Sequence, residues 1–131
     1  MNKTFHDYCV TLLNAGFTLL DYTNNRDYTY SIIVSPNDRI GCIQETWYNK
    51  NAVDLSKKCK PSKETGTGLI VYEGVVNPTV ELAIEVCNKP YGNPYSGIDD
   101  YIAYNNKKWS KVSGMVRVIR NEEELVAFEK E

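Results

Sequence analysis

The chain predicts an α+β domain: a mainly antiparallel five-stranded sheet, two main helices packed on it and a short helix at the C-terminus. Three observations carry that expectation. Apolar residues recur at helical spacing over 4–15 and again over 78–87. Short runs rich in β-branched and aromatic residues occupy much of the remainder. The links between the first three runs are too short for a parallel crossover, so those runs pair antiparallel.

In chain order, Thr4 caps the first helix, with Asp7 three residues on as a short-armed capping box. Phe5, Cys9, Leu12 and Leu13 form its apolar face, and Gly16 is a left-handed stop. Strands are expected at Phe17–Tyr22, Tyr28–Val34 and Arg39–Tyr48. The turns between them come from 23–27 and from Ser35-Pro36-Asn37-Asp38. Alternation puts Tyr28, Tyr30, Ile32 and Val34 on one face of the second strand, with Thr29 and Ser31 opposite. The first helix covers one sheet face; later elements cover the other, or it stays partly wet. Residues 49–60 are ambiguous; Asn51 is one possible cap for a short helix ending in the lysines.

The clearest punctuation lies between Cys59 and Cys87. A basic loop holding Gly66 and Gly68 precedes the apolar run Leu69–Tyr72, which Glu73-Gly74 ends as a turn. Asn77 then caps a helix opened by Pro78, with Glu81 near its positive end. Its apolar stripe is Val80, Ala83, Ile84 and Cys87, and Asn88 and Pro90 stop it. The Pro/Gly/Tyr segment 89–97 is either a recognition loop or a plain connector. Ser96 caps a short helix carrying Ile98, Tyr101 and Ile102, broken by Asn105-Asn106. Met115–Arg120 is a fifth strand, whose two arginines mark an edge or a half-exposed position. Asn121 and Glu124 make a capping box for the last helix, anchored by Leu125, Val126 and Phe128.

At 131 residues, 42% hydrophobic and 24% charged, the chain is expected to form one globular domain over 1–131, large enough for a core without staples. A net charge of -2 argues against nucleic-acid binding through bulk charge, though not against a local basic patch. The N-terminus does not resemble a signal peptide, and no apolar run reaches the ~18 residues of a membrane span. Cys9, Cys42, Cys59 and Cys87 are widely separated, with no C-x-x-C pair, so they read as reduced thiols, mostly in the core, of a cytoplasmic protein. His6 is the one histidine; it lies far from the later cysteines and reads as exposed. No metal site, cofactor site or catalytic residue is expected on these grounds.

Two contact chemistries remain. Trp47, Tyr48, Tyr91, Tyr95 and Trp109 are candidate partner-binding aromatics, since exposed Tyr and Trp dominate binding hot spots. The alternative is phosphate, nucleotide or nucleic-acid binding through Lys57, Lys58, Lys60, Lys63, Gly66, Gly68, Lys107 and Lys108, extended by Lys111, Arg117 and Arg120. The glycines precede a strand and no lysine follows the second, so neither a Walker loop nor a dinucleotide fingerprint is present.

In size, in its Asn/Lys/Tyr-rich style and in pairing KETGTGLIVYEG with NPTVELAIEV, the chain resembles small accessory proteins of bacteriophages and other mobile elements. That resemblance implies a stoichiometric inhibitor of a host defence system or host enzyme, acting on a host protein by occlusion. It supplies no catalytic residues. The function expected is therefore non-enzymatic binding of a protein partner, with no membrane partner.

Overall fold

A computed structural model describes residues 3–24, 28–46, 59–61, 69–75, 79–88, 95–109 and 116–131. It is an α+β fold with a mixed sheet in the strand order β4-β5-β3-β2-β1-β6. The strands are β1 (Thr18–Asn24), β2 (Tyr28–Val34), β3 (Ile40–Thr46), β4 (Cys59–Pro61), β5 (Ile70–Val75) and β6 (Val118–Ile119). The helices are α1 (Lys3–Asn14), α2 (Val80–Asn88), α3 (Ile98–Trp109) and α4 (Glu122–Glu129).

All five expected strands are present, together with a sixth, β4, at the end of the ambiguous stretch 49–60; the possible helix from Asn51 lies outside the described residues. The β1–β2–β3 meander is antiparallel, with Val34 opposite both Thr18 and Ile40. β4 lies at the far edge, and β5 sits between β4 and β3. It is antiparallel to β4 but parallel to β3. β5 also passes through Glu73-Gly74 to Val75, where a terminating turn was expected. Among the described residues β6 pairs with β1 at the sheet edge, and the two expected arginines, Arg117 and Arg120, flank this two-residue strand.

The pleat sorts the core into two layers. Leu19, Ile33, Ile43, Tyr72 and Ile119 face α1, α2 and α4, among Phe5, Leu12, Ala83, Val86 and Leu125. Leu20, Ile32, Val34, Cys42, Val71 and Val118 face the other way, against Tyr101, Ile98 and Ile102 of α3. Neighbouring strand residues therefore serve opposite layers, as a two-residue period requires. Both faces are covered, and each fully buried aliphatic side chain contributes about 1.5–3 kcal/mol.

Several helix boundaries differ from expectation. α1 begins at Lys3, so Thr4 lies inside it and is no cap, while Gly16 at φ 90° does stop it. α2 begins at Val80, where Thr79 Oγ1 accepts the Leu82 N–H at 3.2 Å; the expected Asn77-Pro78 start lies outside the described residues. Val86 replaces Ile84 in the α2 stripe, because Ala83, Val86 and Cys87 turn inward and leave Ile84 43% exposed. α4 is capped as expected by Asn121, whose Oδ1 accepts the Glu124 N–H, but the return bond of the box is displaced by one residue, Glu124 Oε2 accepting the Arg120 N–H, both at 2.9 Å.

The largest difference is α3. It spans 12 residues and runs through Asn105-Asn106, which had been expected to break it. Asn105 is buried and donates from Nδ2 to the Tyr101 carbonyl at 3.0 Å and to the Tyr95 hydroxyl at 3.3 Å. Asn106 Oδ1 accepts the Val116 N–H at 2.6 Å, tying the helix to the segment before β6. Tertiary partners outweigh the weak helix propensity of asparagine.

Candidate functional site

The start of α3 is built without a capping side chain of its own. Gly97 supplies the carbonyl that accepts the Tyr101 N–H, at 3.1 Å. The missing side-chain acceptor comes from the β2–β3 turn, where Asp38 Oδ1 accepts the Ile98 N–H at 3.0 Å. Ser35 opens that turn, its carbonyl accepting the Asp38 N–H at 2.9 Å, and Asp38 takes φ 65°. Asp100 Oδ2 reaches back to accept the Ser96 N–H at 3.0 Å. Ser96 is thus a donor here, where the sequence suggested a cap.

This anchored start fixes three tyrosines. The Tyr95 ring meets Tyr101 at a centroid distance of 5.0 Å and 70°, and Tyr104 at 5.8 Å and 65°. Both are edge-to-face arrangements, the favourable geometry for ring quadrupoles. Tyr101 is buried, Tyr95 half-buried and Tyr104 51% exposed, so the cluster grades from core to solvent. Burial holds the Tyr95 phenol above its ordinary pKa; the Asn105 hydrogen bond opposes that, and the neighbouring Tyr104 and Asp100 charges add to it. The phenol therefore stays neutral, and the corner offers aromatic surface and hydroxyls in place of a nucleophile.

Of the expected aromatics, the structure places only the Tyr95 side chain. Trp109 is the last residue of α3, and Trp47, Tyr48 and Tyr91 lie outside the described residues. Lys57, Lys58, Lys63, Gly66 and Gly68 of the phosphate reading lie outside them too. Lys60 falls in β4, Lys107 and Lys108 in α3, with Lys107 exposed. Arg117 pairs with Glu131 and sits 5.7 Å from the Phe128 ring centroid, so its charge is engaged within the fold. Tyr104 escaped the sequence analysis, and Tyr101 and Asn105 were read there only as a helix residue and a helix break. Their i, i+3 and i, i+4 spacing was the available signal, obscured by reading Asn105 as a break.

A second polar pair lies beneath the opposite sheet face. His6 reads from sequence as exposed and unpaired, but its Nδ1 lies 2.7 Å from Glu129 Oε1, joining α1 to α4. The Glu129 side chain is 5% exposed and that of His6 21%. A carboxylate holding an imidazole is the orienting half of a catalytic triad, but a nucleophile in reach of the ring is the other requirement. Among the described residues no cluster of three or more His, Cys, Asp or Glu side chains is placed to hold a metal ion. Cys9, Cys42 and Cys87 are buried, and none of them is in a disulfide among the described residues. No helix among the described residues is long and apolar enough to cross a membrane. The chain matches no family model, no curated protein and no solved structure.

Proposed function

We propose that the chain is a non-enzymatic binding protein that acts by stoichiometric contact with a protein partner, in the manner of a phage-type inhibitor that occludes a host protein. The observation that supports this is Tyr104, 51% exposed on a helix whose start is anchored from the β2–β3 turn and edge-packed by Tyr95 at 5.8 Å. A large amphipathic ring held on a rigid element loses little side-chain freedom when a partner covers it. An exposed but undirected tyrosine would lack that advantage.

Affinity capture from a host lysate, with wild type beside Tyr104→Ala, tests the reading. A protein retained in equimolar amount by wild type and lost with Tyr104→Ala is the expected result. Salt-dependent retention on DNA or RNA, abolished by Lys58→Ala and Lys60→Ala but indifferent to Tyr104→Ala, would overturn it in favour of a nucleic-acid binder. Turnover of a nucleotide or polynucleotide would overturn the non-enzymatic assignment.

A further inference from the structure

We infer that the Tyr95–Tyr104 corner receives an arginine-bearing, positively charged segment of its protein partner; this rests on the contact function above and adds the chemistry of what docks. The face of a tyrosine ring is electrostatically negative and attracts a cation placed over it. At this corner the rings are accompanied by carboxylates. Asp38, Asp99 and Asp100 are exposed at the N-terminal end of α3, and none makes an ion pair among the described residues. Asp100 and Tyr104 are four apart on the helix, so they share one face. Two of the acids are already held in place, Asp38 by the Ile98 N–H and Asp100 by the Ser96 N–H. Little of their motion remains to be lost when a cation arrives.

The cations adjoining the patch in sequence are Arg39 and Lys107, both exposed. Lys107 lies one turn beyond Tyr104, so the negative edge is confined to the N-terminal side of the ring, and the incoming charge enters there. A phosphate backbone would meet three carboxylates at that edge, which disfavours nucleic acid at this corner. Arginine fits better than lysine. Its planar guanidinium stacks on a ring while its N–H groups point sideways to carboxylate oxygens, whereas an ammonium is a strongly hydrated point charge.

The full chain, isotope-labelled, is titrated by NMR with a short glycine–serine peptide carrying arginines, and with the same peptide carrying citrulline, which keeps the shape and drops the charge. The arginine peptide is expected to shift the Tyr104 and Tyr95 ring resonances and the Asp99 amide, and to bind about two- to five-fold more tightly than the citrulline peptide. Tyr104→Leu should abolish those shifts. Asp99→Asn should weaken binding about two-fold or more and flatten its salt dependence; Asp99 is chosen because Asp38 and Asp100 hold the helix start. Equal binding of the two peptides, shifts that map elsewhere, or no shifts at all would overturn the inference. If capture of a protein partner needs Tyr104 but ignores both Asp99→Asn and added salt, the contact function stands and the arginine assignment falls. If Tyr104 matters to neither experiment, both fall together.

Discussion

Asp38 caps a helix that begins 60 residues further along the chain, its Oδ1 accepting the Ile98 N–H at 3.0 Å. The same residue holds a left-handed backbone at φ 65° and sits against Gly97, whose own φ is 149°. Conformation and capping can be separated by substitution. Asp38→Asn keeps an acceptor and tolerates the left-handed region, so it should be close to neutral. Asp38→Gly relaxes the backbone but loses the acceptor, while Asp38→Ala loses both. Asp38→Ala should cost about 1–3 kcal/mol, with Asp38→Gly in between. Denaturant midpoints at constant slope report the order; Asp38→Gly less stable than Asp38→Ala would contradict it.

At Gly41, α2 packs close against β3. A Cβ there would lie 2.9 Å from Val86 Cγ1, 3.2 Å from Cys87 Sγ and 3.4 Å from Cys87 Cα. The tightest neighbour is the Val86 side chain, which must turn aside, while the Cys87 backbone already stands at ordinary contact distance. Gly41→Ala should destabilise by about 1–3 kcal/mol. In a cycle with Val86→Ala the two costs should be less than additive, because the shortened side chain vacates the tightest contact. Strict additivity, read from thermal or denaturant melts, would remove this account of the glycine.

Local chemistry was legible in the chain; long-range partnership was not. The alternation through Ser31, Ile32 and Ile33 placed β2 correctly, and Asn121 with Glu124 announced α4 just ahead of its core anchor Leu125. In both cases the deciding forces act within a few residues. Asn105 is the reverse case. Its propensity says break, and only the Tyr95 hydroxyl, ten positions back in the chain, explains why the helix continues. The parallel β3–β5 pairing was hidden because three-residue β4, too short to read as a strand, takes the edge beyond β5 and leaves β5 beside β3. Tyr104 was missed for the same reason as Asn105: a helix expected to end there gives no face on which to place it.

Cys87 is buried against the Ile33 carbonyl, and that burial pushes its thiol pKa up to about 12. An acid whose folded pKa is raised keeps its proton better in the folded state. The stability that results is intact below the unfolded value near 9 and is lost as pH rises toward 12. Wild type should therefore lose stability over that window more steeply than Cys87→Ala, which has no thiol to ionise and is less stable at neutral pH through its cavity. In the folded protein at pH 8 the thiol should also resist iodoacetamide, reacting only once denaturant is added. Parallel alkaline slopes for the two proteins, or rapid alkylation of Cys87 without denaturant, would refute the assignment.

His6 and Glu129 stand 123 positions apart and close the two ends of the described chain on each other, Nδ1 to Oε1 at 2.7 Å. The carboxylate is the more enclosed partner, at 5% exposure against 21%. The two truncations should therefore be unequal. His6→Ala leaves a carboxylate in a site that water reaches poorly, whereas Glu129→Gln leaves a neutral amide that still accepts a hydrogen bond. His6→Ala should cost about 1–3 kcal/mol and Glu129→Gln less. The double variant His6→Ala/Glu129→Gln should recover part of the His6→Ala loss, because a neutral amide loses less than a carboxylate when the imidazole is removed. Hydrogen exchange adds a spatial readout: α4 amides should exchange faster in His6→Ala while the β2–β3 ladder stays protected. Uniform loosening of the whole sheet, or a double variant no better than His6→Ala alone, would show that the pair does not specifically dock α4 onto α1.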